Sequence, residues 1–156
     1  MAIAAVAAGR DEHVIAGSIA KMALSAERLT ELTEEAHREL GSRISRYRGD
    51  RALPELIGRE VVLVDDALAI GVTAEAVLLA LRVKPPGRLV LSMPVCAPGT
   101  LDRLVVLADE VVWALSPSAL IAVGQWYQDF SHTTDDEVIK ALCQALRQIA
   151  DSSTGD

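Results

Sequence analysis

Residues 60–76 read Glu-Val-Val-Leu-Val-Asp-Asp-Ala-Leu-Ala-Ile-Gly-Val-Thr-Ala-Glu-Ala. Four apolar residues, mostly β-branched, run into two acids and then a turn of small residues. Residues 61–64 lack polar alternation, the pattern of a strand covered on both faces of a parallel sheet. Asp65 and Asp66 fall at its carboxyl end, where open α/β sheets usually bind ligands. Ala69, Gly71 and Thr73 lead into residues 74–83, whose composition predicts a helix. The free amides and the dipole of such a helix start favour an anion such as phosphate. Two carboxylates beside an anion hole point to a ligand that carries hydroxyls or a metal as well as a phosphate.

The flanking sequence continues the rhythm. Lys84-Pro-Pro-Gly87 stops the helix and residues 88–95 supply a second apolar strand. Pro98-Gly-Thr100 opens a short helix at 101–108, capped by Thr100, and residues 110–115 supply a third strand. Strand, helix, strand, helix, strand is the order of a parallel sheet with right-handed crossovers. Residues 116–133 break the alternation, and three of the chain's five aromatics fall within Val123-Gly-Gln-Trp-Tyr-Gln-Asp-Phe130. Trp126, Tyr127 and Phe130 are therefore either a core patch at the sheet edge or a lid over a ligand. Thr134-Asp-Asp-Glu137 is a capping box, and Val138, Leu142, Ala145 and Ile149 give the last helix a buried stripe. Before the central stretch, Ser25 caps a long helix in which Leu29, Leu32, Ala36, Leu40, Ile44 and Tyr47 recur every three or four residues. Arg43, Arg46, Arg48 and Arg51 gather at its end, where they complement the dipole and could meet an anion. Residues 49–59 form a connector, and residues 2–8 and 13–16 are expected to pair as a hairpin across 9–12.

At 156 residues the chain is expected to form one domain over 1–150, with a disordered tail at 151–156. A domain of this size buries about 70% of its unfolded surface and needs neither disulfide nor metal to hold it. The net charge of −7 argues against nucleic acid or an anionic membrane as main partner. Cys96 and Cys143 form no CxxC pair, no apolar run reaches the roughly 20 residues of a membrane span, and residues 1–8 lack a basic leader. A cytoplasmic location is the expectation.

Three families end an apolar strand in acids. A receiver domain also needs a later strand ending in aspartate and a lysine at a strand end, which this chain lacks. A P-loop nucleotidase needs GxxxxGK[ST], also lacking here. The third fits. Val62-Leu-Val-Asp-Asp-Ala-Leu-Ala-Ile-Gly-Val-Thr73 resembles the phosphoribosyl-pyrophosphate motif of type I phosphoribosyltransferases, apolar residues followed by D-D-x-x-A-T-G-x-T. Met93-Pro-Val-Cys-Ala-Pro98, Ala108-Asp-Glu-Val-Val112 and the 123–130 stretch extend the resemblance, which is to the C-terminal part of a bacterial group of that family.

The resemblance implies a three-layer α/β fold, a mostly parallel sheet with helices on both faces, shortened at its N-terminus and opening on the hairpin. It implies that Asp65 and Asp66 are the catalytic acids that contact the ribose hydroxyls. Ala69, Ile70, Gly71, Val72 and Thr73 would wrap the 5′-phosphate. The implied ligand is phosphoribosyl pyrophosphate or ribose 5-phosphate, with Mg²⁺ held through the diphosphate and not directly by the protein. Transfer of phosphoribosyl to a nitrogenous acceptor also follows from the resemblance, and a homo-oligomer is a further expectation. Ile70 departs from it, standing where the family has threonine. A hydrogen bond lost to a charged group costs about 1.5–3 kcal/mol, roughly 10- to 150-fold in affinity. Val72 replaces a smaller residue and is expected to narrow the cradle. The family's proline-arginine-glycine-glycine type loop, which holds the leaving pyrophosphate, has no counterpart in these residues, so turnover by this chain alone is expected to be impaired. A non-catalytic binding or structural module on the same fold is the alternative.

Overall fold

The computed structural model describes residues 4–7, 13–16, 25–52, 54–83 and 85–153. The turn expected at 9–12, the helix stop at Lys84 and residues 154–156 lie outside them, as do the side chains of Leu29 and of the hairpin. β1 (Ala4–Ala7) pairs antiparallel with β2 (His13–Ala16), which is the expected hairpin. α1 (Ala26–Arg48) starts at Ser25, whose Oγ accepts the Arg28 amide at 3.2 Å. Leu32, Ala36, Leu40, Ile44 and Tyr47 form its half-buried stripe. At its other end Gly49, at φ 60°, donates its N–H to the carbonyls of Ile44 and Ser45.

The sheet is built from β3 (Glu60–Val64), β4 (Ala67–Leu68), β5 (Arg88–Cys96) and β6 (Glu110–Leu115), all parallel. Leu91 pairs with both Leu63 and Val111, and Val95 with both Ala67 and Leu115. β5 is therefore central, with β6 on one edge and β3 followed by β4 on the other. Its near-continuous apolar run, Leu-Val-Leu-Ser-Met-Pro-Val-Cys, is the signature of the most covered strand in a parallel sheet. The expectation that residues 61–64 are covered on both faces is corrected. Val61 and Leu63 pack inward, whereas Val62 is 51% and Val64 69% exposed. β3 is an edge strand, and only its Val61–Leu63 face meets the core. The two-residue β4, which returns the chain to β5 after the acids, was not expected from sequence.

α2 (Val72–Val83) and α3 (Pro98–Leu104) cover that inner face. Ala74 and Leu78 of α2 and Leu104 of α3 close over Leu89, Leu91 and Met93 of β5. Each fully buried leucine contributes about 1.5–3 kcal/mol relative to exposure. The other side of α2 buries Val72 and Ala76, and β1 and β2 run alongside this helix. α2 begins at Val72, two residues earlier than the composition predicts. α3 ends at Leu104, and its start is Ala97, not Thr100.

α4 (Asp135–Ser153) opens with the predicted capping box. Thr134 N–H donates to Glu137 Oε2 at 2.8 Å, and Glu137 N–H reaches back to Thr134 Oγ1 at 3.4 Å. Arg46 and Tyr47 of α1 both bond the carboxylate of Asp135, joining the end of one helix to the start of the other. Arg43 pairs with Glu39 and Arg51 donates to the Tyr47 and Arg48 carbonyls, so three of the four clustered arginines are engaged within the protein. Two expectations for α4 are corrected. Its stripe is not fully buried: Leu142 and Ile149 are exposed, the latter at 64%. The helix also runs through Ser153, into the stretch expected to be irregular. The whole is an α/β fold, an open and mostly parallel sheet flanked by helices, as the strand and helix order predicts. Among the described residues no helix is long and apolar enough to cross a membrane.

Candidate functional site

Asp65 and Asp66 occupy the break between β3 and β4, at the carboxyl end of the sheet. Asp65 N–H still donates to Ser92 O of β5 at 3.1 Å, so the backbone leaves the ladder only at Asp66. Each carboxylate accepts the next residue's amide, Asp66 N–H to Asp65 Oδ1 at 2.9 Å and Ala67 N–H to Asp66 Oδ1 at 2.7 Å. Asp65 is half-buried and Asp66 exposed. Burial pushes the Asp65 carboxyl above its ordinary value; the amide from Asp66 opposes that, and the neighbouring Asp66 charge adds to it. An acid held partly desolvated beside a second acid is a common mark of a functional position.

Ala69, Ile70 and Gly71 form the loop that follows. Gly71 has φ 74°, a left-handed conformation that glycine adopts without strain. A Cβ there would also lie 2.6 Å from Thr100 Cγ2 and 3.1 Å from Leu104 Cδ1, so the loop is pressed against α3. Val72 and Thr73 are the first residues of α2. Val72 is buried against Ala76, and Thr73 is exposed. Among the described residues no acceptor takes the amides of Val72, Thr73 or Ala74, the unpaired donors of a helix start. Acids and amides thus lie at the same end of the sheet, separated by the short β4.

The aromatic segment reaches the same place. The 3₁₀ turn Val123–Trp126 ends at Tyr127, whose hydroxyl donates to the carbonyl of Asp66 at 2.5 Å. The Tyr127 ring lies 5.1 Å from that of Phe130 with a tilt of 41°, within the favoured range for aromatic pairs. Burial, with the negative charges of Asp66 and Asp65, raises the Tyr127 hydroxyl above its ordinary value, keeping it a donor. Trp126 and Phe130 are 39% and 48% exposed, so this segment is no closed core patch.

Sequence reasoning missed two residues. Thr100, only 4% exposed, does not cap α3; its Oγ1 donates to the carbonyl of Ala69 at 2.7 Å. Arg103 donates from Nη2 to the carbonyl of Ile70 at 2.6 Å. The Pro-Gly-Thr start of a helix signals a local cap, and nothing in it signals a partner 31 residues earlier.

No family model matches the chain. Proteins of Mycobacterium tuberculosis strains CDC 1551 and H37Rv, each named "Putative phosphoribosyl transferase", are 38% identical to it over 118 residues, 76% of this chain. The chain spans 27% of the length of these relatives. The crystal structure of TT1426 from Thermus thermophilus superposes with a TM-score of 0.68 at 33% identity, over 85% of this chain and 63% of that one. Across the residues it shares with these proteins, the chain is phosphoribosyltransferase-like.

Proposed function

We propose that residues 65–73 bind the ribose 5-phosphate part of a ligand such as phosphoribosyl pyrophosphate. The observation that carries this reading is the pairing of Asp65 and Asp66 with the acceptor-free amides at the start of α2, joined by a loop that turns at Gly71. Carboxylates accept hydrogen bonds from the vicinal hydroxyls of a sugar, and helix-start amides donate to its phosphate. Both groups belong to one short stretch, so a single ligand carrying both functions would meet both. Tyr127 and its neighbours form a lid over the acids in this reading, with Trp126 and Phe130 offering flat apolar surface to a planar acceptor.

The two adjacent carboxylates are hard oxygen donors that suit Mg²⁺ and sugar hydroxyls alike. Mg²⁺ bound to a diphosphate would neutralise the charge of a departing pyrophosphate. The chain's own residues would hold the ribose and its phosphate still and shield them from water. These 156 residues contain no proline-arginine-glycine-glycine type loop to hold the diphosphate. Ile70 also removes one hydroxyl donor. Both favour a site that, on this chain alone, binds ribose phosphate with little or no phosphoribosyl transfer.

Isothermal titration tests this. Ribose 5-phosphate is expected to bind, phosphoribosyl pyrophosphate with Mg²⁺ to bind within about tenfold of it, and the Asp65→Asn/Asp66→Asn variant to bind neither. Absence of ribose 5-phosphate binding, or binding unchanged in the variant, refutes the site. Pyrophosphate release that disappears in the variant refutes the impaired turnover.

A further inference from the structure

We propose that Thr100 and Arg103 of α3 are positioning residues for phosphate binding, holding the carbonyls of the 69–71 loop away from the anion. The inference rests on the ribose-phosphate reading of that loop.

A phosphate cradle made of backbone must turn its N–H groups toward the anion and its carbonyl oxygens away, because an inward carbonyl dipole repels negative charge. Free loops sample both orientations. Here each of four consecutive carbonyls is tied on the side facing α3 or the body of α2. Leu68 O accepts from Ala97 N–H at 2.9 Å and Ala69 O from Thr100 Oγ1 at 2.7 Å. Ile70 O accepts from Arg103 Nη2 at 2.6 Å and Gly71 O from Glu75 N–H at 2.9 Å. Two of the four are backbone bonds that any sequence could make. The other two depend on the side chains of Thr100 and Arg103.

Arg103 has a second task. Its Nη2 lies 3.5 Å from Oε2 of Glu75, a carboxylate in the first turn of α2 and so beside the amides assigned to the phosphate. Uncompensated, that charge would oppose an incoming anion. The guanidinium fixes one carbonyl and offsets one carboxylate at the same point, a geometry that a planar fork of donors can serve. Thr100 also contributes packing, since its Cγ2 fills the space that a side chain at Gly71 would need. Thr100→Val keeps that methyl and removes only the donor.

The test compares ribose 5-phosphate with ribose by titration for wild type, Thr100→Val, Thr100→Ser, Arg103→Ala, Arg103→Lys and Arg103→Ala/Glu75→Gln. The phosphate increment is expected to fall about tenfold in Thr100→Val and in Arg103→Ala, with melting temperatures changed by only a few degrees. Thr100→Ser is expected to restore it. Glu75→Gln is expected to recover part of the loss in Arg103→Ala, and Arg103→Lys to recover the charge effect only; a merely structural role predicts neither rescue. A phosphate increment that both Thr100→Val and Arg103→Ala leave unchanged overturns the proposal. Arg103 is half exposed, so its variants report even where a Thr100 variant fails to fold.

A ligand-free measurement separates this inference from the reading beneath it. Backbone ¹⁵N order parameters at Ile70 and Gly71 are expected near 0.85 in wild type and to drop toward ~0.6 in Thr100→Val and Arg103→Ala. If wild type binds no ribose 5-phosphate, the ribose-phosphate reading and this phosphate role fall together, while the order parameters still decide whether α3 holds the loop. If wild type binds and neither variant changes binding or order, the inference alone is refuted.

Discussion

Ile70 illustrates how one side chain can be changed without disturbing the loop. Its backbone carbonyl makes the contact with Arg103, while its side chain is 38% exposed. A threonine at this position adds one hydroxyl at the rim of the cradle and costs the fold little. Ile70→Thr is expected to tighten ribose 5-phosphate by roughly tenfold or more, with the melting temperature within about 2 °C of wild type. Titration and a thermal melt decide it; equal affinities would mean that this side chain does not face the phosphate. At this scale the sequence is readable where chemistry is local. Two acids ending an apolar strand, with a glycine turn after them, need no structure to be singled out. Thr100 is misread from sequence because a helix cap and a distant hydrogen bond use the same side chain, and only the fold brings Ala69 to it. At Val72 it is the helix start that is misplaced: a position read as loop is the first helical residue and is buried.

Among the elements, the junction of α2, β5 and β6 is held by one carboxylate. Asp109 Oδ2 accepts Leu89 N–H at 2.7 Å, Oδ1 accepts Arg82 Nη2 at 2.9 Å, and Asp109 N–H donates to Leu89 O at 2.8 Å. The bond from Arg82 and the Leu89 amide hold its pKa below the ordinary 3.8. A depressed carboxylate stabilises the fold above its unfolded pKa, and that contribution is lost as pH falls through the lower folded value. Asp109→Asn is therefore expected to lower the urea midpoint at pH 7, with the gap to wild type shrinking once pH drops below 3.8. A midpoint difference that stays constant with pH would show that packing, and not charge, is what the substitution disturbs. In the sequence this residue stands out only as part of a resemblance, Ala108-Asp-Glu-Val-Val112. Its work, capping the entry of two strands and the exit of a helix, is three-dimensional. Element types are legible from period and turn residues, but coverage is not. The apolar run of residues 61–64 looks the same in an edge strand as in a central one, and the α4 stripe looks the same buried or exposed.

The whole molecule is polarised along its strands. At their amino ends charge is paired: Arg88 of β5 bonds both Glu60 of β3 and Glu110 of β6, and Asp109 holds Arg82. At the carboxyl ends, Asp65 and Asp66 have no basic partner among the described residues, and burial raises Asp65. The two ends should therefore answer acid with opposite signs. Asp109, at the amino ends, is held low by Arg82 and the Leu89 amide, so its stabilisation is lost as pH falls. Asp65, held high, binds its proton more readily folded than unfolded. Stability from this group falls as pH rises from 3.8 through its folded pKa, leaving a penalty at neutral pH. Asp65→Asn removes that penalty and keeps the Oδ1 that accepts the Asp66 amide. The variant is expected to melt above wild type at pH 7, to lose that advantage as pH approaches 3.8, and to bind ribose 5-phosphate about tenfold or more weakly throughout. Melts from about pH 7 to about pH 4 alongside titrations separate the outcomes. A variant that melts lower than wild type at neutral pH would show that Asp65 supports the fold instead of straining it for a ligand.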